Sequence, residues 1–135
     1  YEDFLEISNR FKGSKYAADA ANRLIFLRNS MAKHEIYIAN YYLKRGAYVA
    51  SSERAKYMLE TYPGAPVTKE ALLILIESYN NLGSLNLALD NAKVLVTNYS
   101  NYSYTIDQNG KILIHDKNIM QEEKIDSSFF DLGLF

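Results

Sequence analysis

The sequence is first defined by what it lacks. Its 135 residues include no Cys and no Trp, only two Pro and six Gly, and a formal net charge of only −1. Without Cys, this chain has no disulfide, thiolate metal site, Cys nucleophile or lipid-modified Cys. The balanced charge argues against non-specific binding to nucleic acid or acidic membranes. No apolar run approaches the roughly 18 residues of a membrane-spanning helix.

What is present indicates a folded and mostly helical chain. Hydrophobic residues make up 48% of the sequence and charged residues 23%, which excludes wholesale disorder. Twelve Tyr and six Phe make the chain rich in aromatic residues, but composition alone gives them no function. Residues 1–7 lack the basic start and apolar core of an export signal. The chain therefore starts either at a mature terminus or within a longer protein, and we expect it to be a fragment of a longer protein.

Apolar residues recur with helical periodicity up to about residue 98 and predict five helices. The first is short, the second covers about residues 16–44, and the third about 49–61. The fourth opens at Thr68 as N-cap and stops at Gly83, and the fifth covers about 85–98. The second helix is expected to bury one apolar stripe, made of Ala17, Ala20, Leu24, Leu27, Met31, Ile38 and Tyr41.

The helical part repeats itself at a distance of 37 residues. Tyr42 and Gly46 recur as Tyr79 and Gly83. Small residues at fixed distances from these positions allow two helices to pack closely, and Gly makes the turn between them. The spacing matches the tetratricopeptide pattern, so the predicted fold is an all-α tetratricopeptide solenoid of about five helices. The same shift relates Ala55 to Ala92, Met58 to Leu95, Leu59 to Val96 and Tyr62 to Tyr99.

The pattern changes after residue 98. Residues 102–106 and 111–115 are typical of strands, and residues 107–110 favour a hairpin turn between them. We therefore expect a helical-repeat domain over residues 1–99 and an extension, hairpin plus apolar tail, over residues 100–135. Within the tail, Phe129, Phe130 and Phe135 are expected to cap the open end of the solenoid or to anchor a partner.

No set of residues has the spacing of a catalytic, metal or cofactor site. The two His are 81 residues apart, and there is no phosphate-binding Gly loop or nucleophile motif. His34, on the long helix, is expected to be a packed and hydrogen-bonded residue, and His115 an exposed one. The sequence thus predicts a protein that binds other proteins and is not an enzyme, with no metal, cofactor, nucleic acid or small-molecule substrate.

A basic cluster surrounds the turn between the second and third helices. It consists of Lys44, Arg45, Arg54 and Lys56, and it is either a solvated surface or a docking patch for an acidic partner. Tyr48 lies beside Arg45, and Tyr is favoured at interfaces because its large ring carries a polar tip. Residue spacing alone leaves both interpretations open.

Residues 11–98 closely resemble the C-terminal half of the BamD family of outer-membrane β-barrel assembly lipoproteins. The hallmarks are A-x-x-R-L-x-F-L-R over residues 20–28, Met31-Ala32-Lys33, Arg45-Gly46-Ala47-Tyr48 and Tyr62-Pro63. The resemblance implies a scaffold on the periplasmic face of the outer membrane, attached through an N-terminal lipid anchor that this chain does not contain. It also implies protein partners: the membrane-proximal POTRA domain of BamA, and BamC-like and BamE-like lipoproteins.

The resemblance also singles out a docking site. Arg54 matches a family position whose Arg pairs with an acidic POTRA residue, which favours Arg54, Arg45 and Tyr48 as the BamA-binding residues. The alternative is another tetratricopeptide adaptor, either a periplasmic cell-envelope or division protein or a cytosolic co-chaperone. The co-chaperone is disfavoured because Ile36 and Ile74 lie where its carboxylate clamp needs polar side chains.

Overall fold

The architecture was obtained as a computed structural model, which describes residues 2, 6 and 15–119. Residues 2 and 6 are helical; the rest of the predicted first helix, and the candidate cap or anchor residues Phe129, Phe130 and Phe135, lie outside the described residues. The helical solenoid with a hairpin extension is confirmed, while the domain division at residue 99 stays a prediction. The elements are α1 (Lys15–Lys44), α2 (Tyr48–Thr61), α3 (Thr68–Leu82), α4 (Leu85–Asn98), β1 (Tyr102–Ile106) and β2 (Ile112–Asp116).

The two helix pairs turn in the same way, as the 37-residue repeat predicts. Gly46 ends the α1 side of one turn with φ +74°, and Gly83 ends α3 with φ +76°. This left-handed conformation strains other residues, so Gly is required at both places. The N–H of Ala47 donates to the Tyr42 carbonyl at 3.0 Å, and the N–H of Ser84 donates to the Tyr79 carbonyl at 2.9 Å. Equivalent residues therefore make equivalent turns.

Successive helices pack closely because their contact positions are small. Ala39 and Ala55 are fully buried between α1 and α2, and Ala92 is fully buried on α4. The larger Met58 and Leu95, which the repeat relates, fill the centres of the two core clusters and are also fully buried. The repeat positions thus build the core rather than the surface.

The predicted buried stripe of α1 is partly correct, and Leu24, Leu27 and Ile38 of the stripe are half-buried. Ala17 and Ala20 are buried, but Met31 and Tyr41 are exposed. The predicted stripe recurs every 3.5 residues, whereas an α-helix has 3.6 residues per turn, so the stripe drifts around the helix. The face that contacts the neighbouring helices passes instead through Ala32, Ile36 and Ala39.

The connection between α2 and α3 differs in detail from its prediction. Val67 rather than Thr68 is the N-cap of α3, and Thr68 is the first helical residue. The Thr68 hydroxyl donates to the Ala65 carbonyl at 2.6 Å, which fixes the turn that precedes the helix. The Arg28 guanidinium of α1 donates to the Pro63 carbonyl, so two of the family-like motifs meet at this turn.

The hairpin packs on the last helix pair. β1 and β2 are antiparallel with Tyr104 opposite Ile114, and β2 starts one residue later than predicted. Tyr102, Tyr104, Ile112 and Ile114 lie on the hairpin face that packs into the α3–α4 core cluster. At the turn, Gly110 has φ +84°, and a Cβ there would lie 2.9 Å from Leu85 of α4. The hairpin therefore covers the apolar end of the described solenoid.

Candidate interaction surface

Arg45 is held in place at the end of α1. Its guanidinium carbon lies 3.4 Å from the centroid of the Tyr41 ring, and its Nη1 donates to the Tyr41 carbonyl at 3.1 Å. Tyr41 meets the ring of Tyr42 edge to face, with centroids 5.6 Å apart. A cation over an exposed aromatic ring contributes about 0.5–1 kcal/mol. These contacts restrict the exposed guanidinium to a narrow range of positions.

Two exposed tyrosines of α1 and Arg45, the first residue after the helix, form one ridge. Tyr37, Tyr41 and Arg45 follow each other at four-residue spacing, and residues four apart are neighbours on a helix surface. Tyr37 is 70% exposed and Tyr41 is 46% exposed. We call this set the Tyr–Arg ridge. It combines the two side-chain types most enriched in protein interfaces.

Arg54 is on α2 and pairs with α1. Its Nη1 lies 3.2 Å from Oε2 of Glu35, with the Arg54 side chain 45% exposed and the Glu35 side chain 14% exposed. An ion pair with one exposed partner contributes about 0–1 kcal/mol. This ion pair leaves part of the Arg54 guanidinium exposed to solvent, and it holds the nitrogen that faces α1 in place.

The three predicted docking residues do not form one contact cluster. Tyr48 is the half-buried first residue of α2, and Arg54 follows it by six residues, a rise of about 9 Å and a different helix face. Arg45 and Tyr48 are instead neighbours across the turn at Gly46. The surface thus has two parts, the Tyr–Arg ridge with Tyr48 and the separate Arg54–Glu35 pair.

The sequence predicted one further residue of this surface in part and missed another. Tyr41 lies on the predicted stripe of α1 and is also one of the tyrosines for which the sequence leaves an interface role open; it is exposed, and its spacing of four from Arg45 is the signal for a helical aromatic–cation pair. Glu35 had no such signal, because it meets Arg54 across two helices and 19 residues of sequence. His34, expected to be packed, is exposed. His115 bonds the Thr105 hydroxyl at 2.9 Å across the hairpin.

Within residues 15–119 and at residues 2 and 6, no three His, Asp or Glu side chains are placed to hold a metal ion. None of the helices described there is both long enough and apolar enough to cross a membrane.

Comparison with known proteins decides the family. The model of the YfiO family, described as an outer membrane lipoprotein, matches residues 1–95. The chain belongs to the YfiO family. The matched region ends within α4, so the β-hairpin lies beyond it.

Relatives of the YfiO chain carry one name, outer membrane protein assembly factor BamD. The protein from Neisseria meningitidis strain Z2491 is 41% identical over 99 residues, which are 73% of this chain and 37% of the relative. The protein from Xylella fastidiosa strain Temecula1 is 42% identical over 98 residues, 73% and 33% of the two chains. That from Haemophilus influenzae strain Rd is 35% identical over 98 residues, 73% and 37%.

The match confirms the predicted family and location. This YfiO chain spans about a third of the length of the relatives it matches. The family is described as an outer membrane lipoprotein, and the relatives are named outer membrane protein assembly factors, which agrees with the predicted outer-membrane location. The family description names a lipoprotein, and the relatives' name is that of an assembly factor.

Proposed function

We propose that the chain is a scaffold segment of the outer-membrane β-barrel assembly machine. It holds protein partners in register during insertion of outer-membrane proteins and catalyses no reaction. The assembly-factor name of its relatives supports this role. So does the helical-repeat architecture, because stacked helix pairs present extended surfaces to other proteins.

We propose the membrane-proximal POTRA domain of BamA as the partner of the Tyr–Arg ridge, Tyr48 and Arg54. The observation that carries this assignment is the Arg45 guanidinium stacked on the exposed Tyr41 ring. A cation that is already held in place loses less conformational entropy on binding, and it complements an acidic partner surface. BamC-like and BamE-like lipoproteins are the further partners that we propose, at surfaces that we do not assign.

The decisive substitution is Arg54→Glu. It places a negative charge where Arg54 would face an acidic POTRA residue. We expect the binding free energy to weaken by about 2 kcal/mol, or Kd to rise about 30-fold, as for an Arg hot spot. The measurement is titration calorimetry with the isolated POTRA domain, beside the far-ultraviolet circular dichroism of each variant. Arg23→Glu is the matched control, since Arg23 is an exposed Arg of α1 away from the turn.

A charge swap separates docking from stability. Arg54→Glu also places two carboxylates together, because Glu35 lies opposite. The double variant Glu35→Arg, Arg54→Glu restores the internal ion pair and the melting temperature, but we expect its POTRA affinity to stay low. Unchanged affinity of both Arg54→Glu and Arg45→Glu, beside an unchanged helical signal, would disprove the proposed docking site.

A further inference from the structure

A groove lies between α3 and the hairpin, away from the docking residues proposed above. It has a volume of about 580 Å³. One wall is a face of α3, with Leu73, Ile76, Glu77 and Asn80 at helical spacing, and the other is residues 112–115 of β2. Either wall is about 10 Å long, which is the length of about three extended residues.

At one end of this groove, the Asn80 side chain makes the hydrogen bonds to β2 that a neighbouring strand would make. The Asn80 Nδ2 donates to the Ile112 carbonyl at 2.7 Å, and the Asn80 Oδ1 accepts from the Ile112 N–H at 3.0 Å. A paired strand would make the same two bonds to this residue. The amide therefore occupies the place of one residue of a third strand.

The next position along the same edge is open to a strand. The Asp107 N–H donates to the Lys111 carbonyl, and the Lys117 N–H donates to the Asn101 carbonyl. These two bonds show which pairs of facing residues in the hairpin are hydrogen-bonded to each other. Since these pairs alternate, the backbone groups of Ile112 and Ile114 both point away from β1. Within residues 15–119 no side chain bonds the backbone of Ile114 as Asn80 bonds Ile112.

The side chains that line the groove indicate the chemistry of the segment that would bind there. Leu73, Ile76 and Ile114 make the groove apolar, and Ile76 is only 3% exposed. Glu77 is the exposed carboxylate of the lining, and it forms no ion pair with another described residue. Open N–H and C=O groups at strand spacing require an extended backbone, apolar walls favour alternate apolar side chains, and the carboxylate favours a cation.

We propose that the outer edge of β2, from Ile114 onward, binds an extended segment of a partner protein by strand addition. The segment has apolar residues at alternate positions, facing the half-buried Leu73, and a basic residue near Glu77. Asn80 sets its register, because the added strand cannot extend past the amide. The proposal concerns residues outside the proposed BamA-docking surface and does not depend on it.

The test is fluorescence anisotropy of a labelled octapeptide, one Lys followed by alternating Thr and Val, with the complete chain. Ile114→Pro removes the outward N–H and leaves the β1–β2 ladder intact, so we expect about fivefold weaker binding for one lost hydrogen bond. Ile106→Pro is the matched control, because it removes an outward N–H from the opposite edge of the same hairpin. The same peptide with N-methylated Val should not bind.

A second pair of variants keeps the test valid if Ile114→Pro disturbs the hairpin. Leu73→Arg fills the groove from α3, and Glu77→Lys repels the peptide cation; each should weaken binding at least fivefold. The proposal is overturned if the wild-type chain binds no peptide, as when residues 120–135 or a second copy fill the groove. It is also overturned if the N-methylated peptide binds equally well, or if substitutions in the groove have no more effect than Ile106→Pro.

Discussion

At the scale of single residues, two buried serines allow the contribution of a hydrogen bond to stability to be distinguished from the contribution of burial. Ser51 and Ser78 are both fully buried on helices. The Ser51 hydroxyl donates to the Ala39 carbonyl at 2.8 Å, so it joins α2 to α1. The Ser78 hydroxyl has no hydrogen-bond partner among the described residues. An unpaired buried hydroxyl lowers stability, whereas a paired one raises it modestly.

We expect Ser51→Ala to lower the free energy of unfolding by about 1–2 kcal/mol, because it leaves the Ala39 carbonyl unpaired. Ser78→Ala removes a buried hydroxyl that has no hydrogen-bond partner among the described residues, and we expect it to be neutral or stabilising by up to about 1 kcal/mol. Urea denaturation of the two variants beside the wild type measures both changes. Equal changes for the two variants would contradict this assignment.

Individual residues also show which features of the structure can be predicted from the sequence and which cannot. Gly46 and Gly83 were predicted as turns because a left-handed backbone requires Gly and because the repeat shows it twice. The pairing of Arg54 with Glu35 could not be predicted, because the sequence contains no periodic signal for a contact between two helices. The sequence therefore identified residues of the candidate site, but only the structure showed how their side chains are arranged.

At the scale of elements, the hairpin packs on the helices through apolar side chains, and the Asn80 amide adds hydrogen bonds from α3 to β2. Asn80 uses both its donor and its acceptor on Ile112, 32 residues further along the chain. Alternation and a turn motif predicted the hairpin itself, since both signals are local. Its docking on α3 had no local signal, and neither did the groove that the docking creates.

We expect Asn80→Ala to weaken the hairpin by about 1–3 kcal/mol, because two backbone groups of Ile112 lose their partner. Asn81→Ala is the control: Asn81 is exposed and bonds only the Glu77 carbonyl of its own helix. Amide hydrogen exchange of β1 and β2 by nuclear magnetic resonance measures the change. If the two variants exchange alike, Asn80 does not anchor the hairpin.

At the scale of the whole molecule, each element contacts mainly its neighbours along the chain. α1 packs on α2, α2 on α3 and α3 on α4, and the hairpin packs on the last pair. In such arrays, stability is close to a sum of unit and interface terms. The core cluster that joins α1, α2 and α3 holds more fully buried small residues than the one under the hairpin. Local opening should therefore differ between the two ends.

We expect amides of the hairpin to exchange with solvent before those of α2 and α3. The hairpin is a two-stranded sheet whose outer-edge backbone bonds, within residues 15–119, are those of Tyr102 and Ile112, and two strands alone are marginally stable. Native-state exchange at increasing urea measures the opening free energy of each element. A single shared value would show that the helices and the hairpin unfold as one unit.

The Asn80–Ile112 bond also imposes an order in time. Contacts between neighbouring helices need little chain closure, whereas this bond must wait until α3 and α4 have brought residues 80 and 112 together. Until then, the Ile112 edge of a newly made hairpin is exposed to any other extended chain. Any delay in forming the Asn80–Ile112 bond after β2 has been made would therefore lengthen the interval in which this edge can pair wrongly.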